Sequence, residues 1–257
     1  MRVLIASKYT HLGKHPIGGV QTWNCAIGDE LERLGHEVVY WEPGFRLDGG
    51  FDLGILANQS YTGGNERLCS RVVKVSHGII PDEAGGPEFF ATSEEVAQKW
   101  GCEAGIIRQP MNLEFWSPGT ESTETLVRHS YRQGLPMLTE IAASRGWRLH
   151  HLLNLGATAV RDSLRRAHVV IATGRAVVEA MATGVPVVIA DHRGYQGPLL
   201  SLDTEGQMAR NYSGRGGEAP TRESLDQAID AAIERGSLRA HAEKHHDVRQ
   251  IVDGLLA

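Results

Sequence analysis

Glu179 stands in the run GRAVVEAMATGVPVVIAD (174–191), flanked by Val177, Val178, Ala180, Met181 and Ala182. An unpaired buried carboxylate is costly, so this residue either faces solvent as an ordinary helix position or is met by something. The pattern alone leaves both readings open. The helix that carries it opens at Gly174, directly after the apolar strand HVVIAT (168–173). A helix N-terminus offers N–H groups and a partial positive charge, which suit a phosphate. A glycine there lets a ligand come close, and Arg175 can add a charge-assisted contact. Glu179 lies five residues in, about 7.5 Å along the axis, and helical side chains lean back toward the N-terminus. A carboxylate so placed can accept two hydrogen bonds from a vicinal diol, such as the ribose of a nucleotide.

Two further features could do chemistry. Gly18-Gly19 precede the first helix, where their N–H groups meet a phosphate or a sugar, or make a simple turn. His77 follows an apolar strand and precedes Gly78, as a structural histidine or a catalytic one. His11 and His15 sit in the first loop with Lys8 and Lys14, while His150-His151 and His245-His246 lack the spacing of a metal site. There is no G-x-G-x-x-G after the first strand and no G-x-x-x-x-G-K-[ST], which weakens dinucleotide and Walker readings. D-x-D, H-E-x-x-H and G-x-S-x-G are also missing, so metal dependence and serine hydrolysis lose ground.

The elements that must position these residues alternate. RVLIAS (2–7) reads as a buried parallel strand. Val20, Trp23, Ile27, Leu31 and Leu34 then mark a helix by spacings of three and four, closed by Gly35. Strands follow at 36–43, 51–58, 72–78, 88–93 and 105–110, and Ser93 is expected to cap a helix beginning EEVAQKW. The stretch PMNLEFWSPGTEST (110–123) interrupts the pattern, which restarts with TLVRHS, WRLHHL, HVVIAT and VPVVIAD as strands and helices between them. The tail from Thr221 is helical in composition. The expected fold is α/β with two Rossmann-like domains, an N-terminal one over 1–115 and a C-terminal one over 116–257. In open sheets of this type, ligands bind beyond the carboxyl ends of the strands.

The totals bound the partners. The chain has 257 residues and a net charge of −5, which does not indicate a generic polyanion binder. Residues 125–175 hold eight arginines against Glu140 and Asp162 alone, a local excess that suggests a pocket for a small anion. Three separated cysteines form neither a metal spacing nor a disulfide framework, and fit a reducing cytoplasm. No window approaches the roughly 18 apolar residues of a spanning helix.

The opening RVLIAS…GGVQTWNCAIGDELERLGHEVVYWEP, the segments VSHG, FFATSEEVAQKWG and IIRQPMNLEFWSP, and GRAVVEAMATGVPVVIAD together resemble the retaining glycosyltransferases of family 4, with the two-domain GT-B fold. The likeness spans most of the chain, as a compact member, and the 174–191 segment is its most specific part. It implies two domains facing a cleft, with acceptors on the N-terminal side and a nucleotide sugar on the C-terminal side. The last helix of this fold often crosses back to the N-terminal domain. The resemblance implies that Glu179 holds the ribose hydroxyls, that Gly174 caps the helix near the donor, and that Gly18 and Gly19 line the diphosphate and sugar. It implies that His77 contacts the donor and stabilises the transition state, and that Arg128 neutralises the pyrophosphate. The chain departs from the family pattern in two places. The first Glu of its E-x7-E motif falls at Ile171. The Lys expected after the Arg falls at Gln133, beside which Arg132 can supply the charge.

The activity so implied is transfer of a sugar from a UDP- or GDP-sugar with retention. It proceeds by a loose front-face displacement in which the donor phosphate takes the acceptor proton. It needs no metal or other cofactor, because cationic side chains and helix dipoles stabilise the charge. The acceptor is open among a glycan, a lipid, a small molecule and a modified base in phage-like DNA. A non-catalytic nucleotide-sugar-binding module is the alternative, and a sugar-nucleotide epimerase a weaker one.

Overall fold

The computed structural model describes residues 1–7, 19–42, 44–58, 64–79, 88–102, 104–119, 122–129, 134–194 and 197–257, with the side chains of 191–194 and 197–199 excepted. Gly18, Arg132 and Gln133 lie outside the described residues, as do Lys8, His11, Lys14 and His15. In chain order the elements begin β1 (Arg2–Ala6), α1 (Gly19–Arg33), β2 (Glu37–Trp41), β3 (Phe51–Ala57), β4 (Cys69–Ser76), β5 (Phe89–Ala91), α2 (Glu94–Trp100) and β6 (Gly105–Ile106). They continue β7 (Thr125–His129), α3 (Leu135–Ser144), β8 (Arg148–Leu152), α4 (Ala157–Leu164), β9 (Val169–Ala172), α5 (Arg175–Ala182), β10 (Val187–Gly194) and β11 (Gly197–Ser201). The chain closes with α6 (Thr204–Met208), α7 (Arg222–Arg235), α8 (Arg239–His246) and α9 (Val248–Leu256).

The chain divides into two compact units. Unit 1 is Met1–Pro110 with Asp247–Ala257, and unit 2 is Met111–His246. Unit 1 holds a six-stranded parallel sheet in the order β2-β1-β3-β4-β5-β6. Trp23, Ile27 and Leu31 of α1 and Val248, Val252 and Leu255 of α9 cover one face, over Val3, Ile5, Leu53, Ile55, Val73 and Val75. Leu4, Ala6, Phe51 and Leu56 pack on the other. Burial on both faces is why β1 and β3 read as continuous apolar runs rather than alternating ones. Ser93 caps α2, its hydroxyl accepting the Val96 N–H at 3.4 Å.

Unit 2 holds a five-stranded sheet in the order β11-β10-β9-β7-β8, parallel except for β11. The antiparallel β11, paired with β10, is not among the strands expected from the sequence. Val127, Val170 and Ala172 pack with α5 on one face, while Leu126, Val169, Ile171 and Val188 pack with α3 and α7 on the other. Ile171 is therefore a core residue of β9. Arg239 ties this unit together, donating to the Leu113 and Trp116 carbonyls at 3.0 and 2.7 Å and to that of Ala182 at the end of α5. Met111 N–H donates to the His246 carbonyl at 2.7 Å, joining the two points where the chain enters and leaves the unit.

Candidate functional site

The order of unit 2 sets its site. From β7 the chain goes to β8 on one side, then to β9 on the other. The strand order thus reverses between β7 and β9, and beyond their carboxyl ends lies the crevice where doubly wound sheets bind ligands. His129 ends β7 and Thr173-Gly174 follow β9. Only these two residues separate β9 from α5, so the start of the helix sits at the sheet edge.

Gly174 caps α5 with φ 59° and ψ −134°, a conformation open to glycine alone among ordinary residues. A Cβ there would meet nothing nearer than the Asn211 carbonyl at 3.9 Å, so the backbone angle demands the glycine and the space does not. Its N–H donates to the Tyr212 carbonyl at 2.7 Å, which also accepts from the Thr173 hydroxyl at 3.1 Å.

Glu179 is 8% exposed, which removes the reading of an exposed helix position. It meets a histidine and an arginine. His129 Nε2 lies 2.8 Å from one carboxylate oxygen, and Arg175 Nε donates to the other at 3.1 Å. Burial pushes its carboxyl up. The hydrogen bond and charge of His129 and those of Arg175 outweigh that, and the net direction is below the ordinary carboxylate value. Each carboxylate oxygen keeps a second lone pair beyond these bonds.

His129 was missed in the sequence because it comes from a strand 50 residues earlier, and only the adjacency of β7 and β9 brings it to Glu179. Strand parity offered a signal. Val127 and His129 share the α5 face of the sheet. Arg128 has the opposite parity and lies with Leu126, next to Ile171 on β9. Its guanidinium is buried, with Nη1 donating to the Ala190 carbonyl at 3.2 Å. The structure thus separates Arg128 from Glu179 by the sheet itself.

The arginine-rich stretch also looks different in the fold. Arg145 pairs with Asp226 and Asp230 at 2.7 and 2.6 Å, Arg161 with Asp162 at 2.7 Å, and Arg175 with Glu179. Two of these acids come from α7, beyond the stretch, so much of its apparent excess is met locally rather than left for an anion.

In unit 1, Gly19 opens α1 and its carbonyl accepts from the Thr22 hydroxyl at 3.0 Å. His77 follows β4, its N–H donating to Asn58 Oδ1 at 3.0 Å and its ring standing edge-on to Trp23 at 5.0 Å. Both lie at the carboxyl end of the sheet, near the reversal between β1 and β3. Cys25, Cys69 and Cys102 are not joined in disulfides. Among the described residues no helix is long and apolar enough to cross a membrane.

No family model and no curated protein matches this sequence. Solved structures do. AviGT4, a glycosyltransferase involved in avilamycin A biosynthesis, is 15% identical with a TM-score of 0.51, covering 98% of each chain. The sucrose-phosphate synthase of Thermosynechococcus elongatus is 14% identical with a TM-score of 0.63, over 99% of this chain and 97% of the other. An alpha-glucosyltransferase solved with UDP and a DNA containing an HMU base is 12% identical with a TM-score of 0.55, over 100% and 98%. At these identities the likeness is one of fold. The chain has the α/β, two-Rossmann fold of GT-B glycosyltransferases.

Proposed function

We propose that the protein transfers a sugar from a UDP- or GDP-sugar to a hydroxyl acceptor, with retention and without a metal at the transfer step. The observation that carries this reading is the buried Glu179 at the strand-order reversal, held as an anion between His129 and Arg175. The remaining lone pairs of a fixed carboxylate suit the two hydroxyls of a ribose. The start of α5 at Gly174 then receives the diphosphate, with Arg175 and Arg132 supplying positive charge. Arg128, across the sheet, is assigned to support β7 rather than to touch the pyrophosphate. On the unit 1 side, Gly18 and Gly19 take the phosphate or sugar, and His77 stabilises the developing charge. Three cysteines outside any disulfide fit a cytoplasmic setting.

The role of Glu179 is tested by calorimetry. Glu179→Ala is expected to weaken UDP or GDP binding at least tenfold, about 1.4 kcal/mol. Unchanged affinity in a folded variant removes the assignment.

A second reading is favoured by Ile171. Where the family motif has a glutamate toward the sugar, this chain has an aliphatic residue in the core of β9. A module that binds nucleotide sugar without turning it over fits that residue. Incubation with a panel of UDP- and GDP-sugars and acceptors separates the two, since release of free nucleoside diphosphate above the blank requires an enzyme. Among acceptors, the alpha-glucosyltransferase neighbour was solved with DNA. A DNA acceptor here predicts binding that weakens steeply with salt.

A further inference from the structure

Away from Glu179, unit 2 gathers a second polar cluster where α6 meets α8. Glu205 lies on α6, and His241 and His245 stand four residues apart on α8, hence on one face. One carboxylate oxygen of Glu205 and one ring nitrogen from each histidine lie within 4.8 Å of one another. Within that set, His241 Nδ1 is 3.0 Å from Glu205 Oε1. Behind it stands the buried Tyr212, whose hydroxyl is 2.8 Å from His241 Nε2 and 2.9 Å from His246 Nε2.

The protons in this chain of contacts can be arranged in two neutral ways. A hydroxyl has one proton, so Tyr212 donates to one imidazole and must accept from the other. If it donates to His241, then His241 carries its own proton on Nδ1 and donates to Glu205. If it donates to His246, then His241 is protonated on Nε2, and its bare Nδ1 lone pair faces the Glu205 carboxylate. That second arrangement needs a cation between the two.

We propose that Glu205, His241 through Nδ1, and His245 form a site for a divalent transition-metal ion of the zinc type. Two imidazoles and a carboxylate, with no thiolate, are the donors that zinc and its neighbours accept. Tetrahedral bonds of about 2.0–2.1 Å place ligand atoms about 3.3 Å apart. The His241–Glu205 pair already stands near that spacing, and closing the rest takes small side-chain rotations. His241 is the anchored ligand, its side chain only 8% exposed, while Glu205 at 73% leaves a side open for water as the fourth ligand. Tyr212 is the outer partner that fixes the ring and tautomer of a metal-bound histidine.

The site has a structural consequence. It clips α6 to α8 across the loop holding Asn211 and Tyr212, both left-handed with φ of 53° and 52°. Asparagine tolerates such an angle, but for the bulky Tyr212 it is unfavourable and persists only when the surroundings fix it. The same Tyr212 holds Gly174 through its carbonyl. Fixing its phenol therefore braces the start of α5. This inference does not depend on sugar transfer.

The test is calorimetric titration of the chelator-treated full chain with zinc chloride. One equivalent is expected to bind, with a rise in the thermal unfolding midpoint. Glu205→Gln and His245→Ala are each expected to weaken binding at least tenfold. The double variant His150→Ala/His151→Ala, a control for adventitious histidines, should bind as wild type does. Tyr212→Phe keeps the three ligands and should lose about 10- to 100-fold. Because Glu205 is exposed, its substitution carries the test even if His245→Ala fails to fold. Absence of zinc binding, or binding unchanged by Glu205→Gln, overturns the proposal.

Discussion

At the scale of residues, the charge that looked out of place on an apolar helix is an organised anion. Glu179 is buried, yet His129 and Arg175 offset its desolvation and hold its carboxyl below the ordinary value. The sign of the pH effect follows. An unfolded glutamate titrates at about 4.3, and the folded one lower. The stabilisation is therefore present above the unfolded value and is lost as pH falls through the folded one. Glu179→Gln and wild type should thus differ in unfolding midpoint near neutrality and converge as pH falls below the unfolded glutamate value, followed by circular dichroism. A constant difference across that range would mean the carboxylate charge is not what stabilises the site. The apolar setting of Glu179 was visible in the sequence. Its partner was not, because His129 meets it through strand order. Arg128 illustrates the converse, since its place was inferred from family likeness while the parity of β7 puts it on the other face.

At the scale of elements, the strands were legible wherever burial on both faces made them continuous apolar runs, as in β1, β3 and β9. The capped start of α2 was legible because Ser93 before EEVAQKW is a local signal. Elements set by the chain folding back were not. β11 depends on pairing with β10, and the left-handed pair Asn211-Tyr212 depends on the contacts that hold it. Gly174→Ala is expected to cost unit 2 about 1–3 kcal/mol, because alanine must adopt φ 59° and ψ −134°. Urea denaturation checks this, and an unchanged midpoint would show that the turn relaxes freely. Gly119→Ala should also destabilise unit 2, for a different reason. A Cβ at 119 would overlap the Arg165 carbonyl, which is backbone and cannot swing aside.

At the scale of the whole molecule, two sheets with the same winding order arise from one chain, and the last eleven residues return to the first unit. Val248, Val252 and Leu255 of α9 complete the cover over β1, β3 and β4 beside Trp23. Leu255→Ala should therefore destabilise unit 1 by about 2–5 kcal/mol, although it lies two residues from the end of the sequence. Chemical denaturation followed by tryptophan fluorescence reports it, and a loss under 1 kcal/mol would mean α9 is dispensable to that core. Charge at this scale was legible only as a total. The arginine-rich stretch reads as a basic zone in sequence, but Asp226 and Asp230 reach it from α7 in the fold.

The central claim is that unit 2 recognises a nucleotide through its ribose at Glu179. The most direct measurement is a calorimetric cycle pairing wild type and Glu179→Ala with UDP or GDP and the matching 2′,3′-dideoxy nucleotide. The account predicts that wild type loses at least tenfold in affinity for the dideoxy form, while Glu179→Ala binds both forms alike. Equal affinity of wild type for the two forms would contradict it.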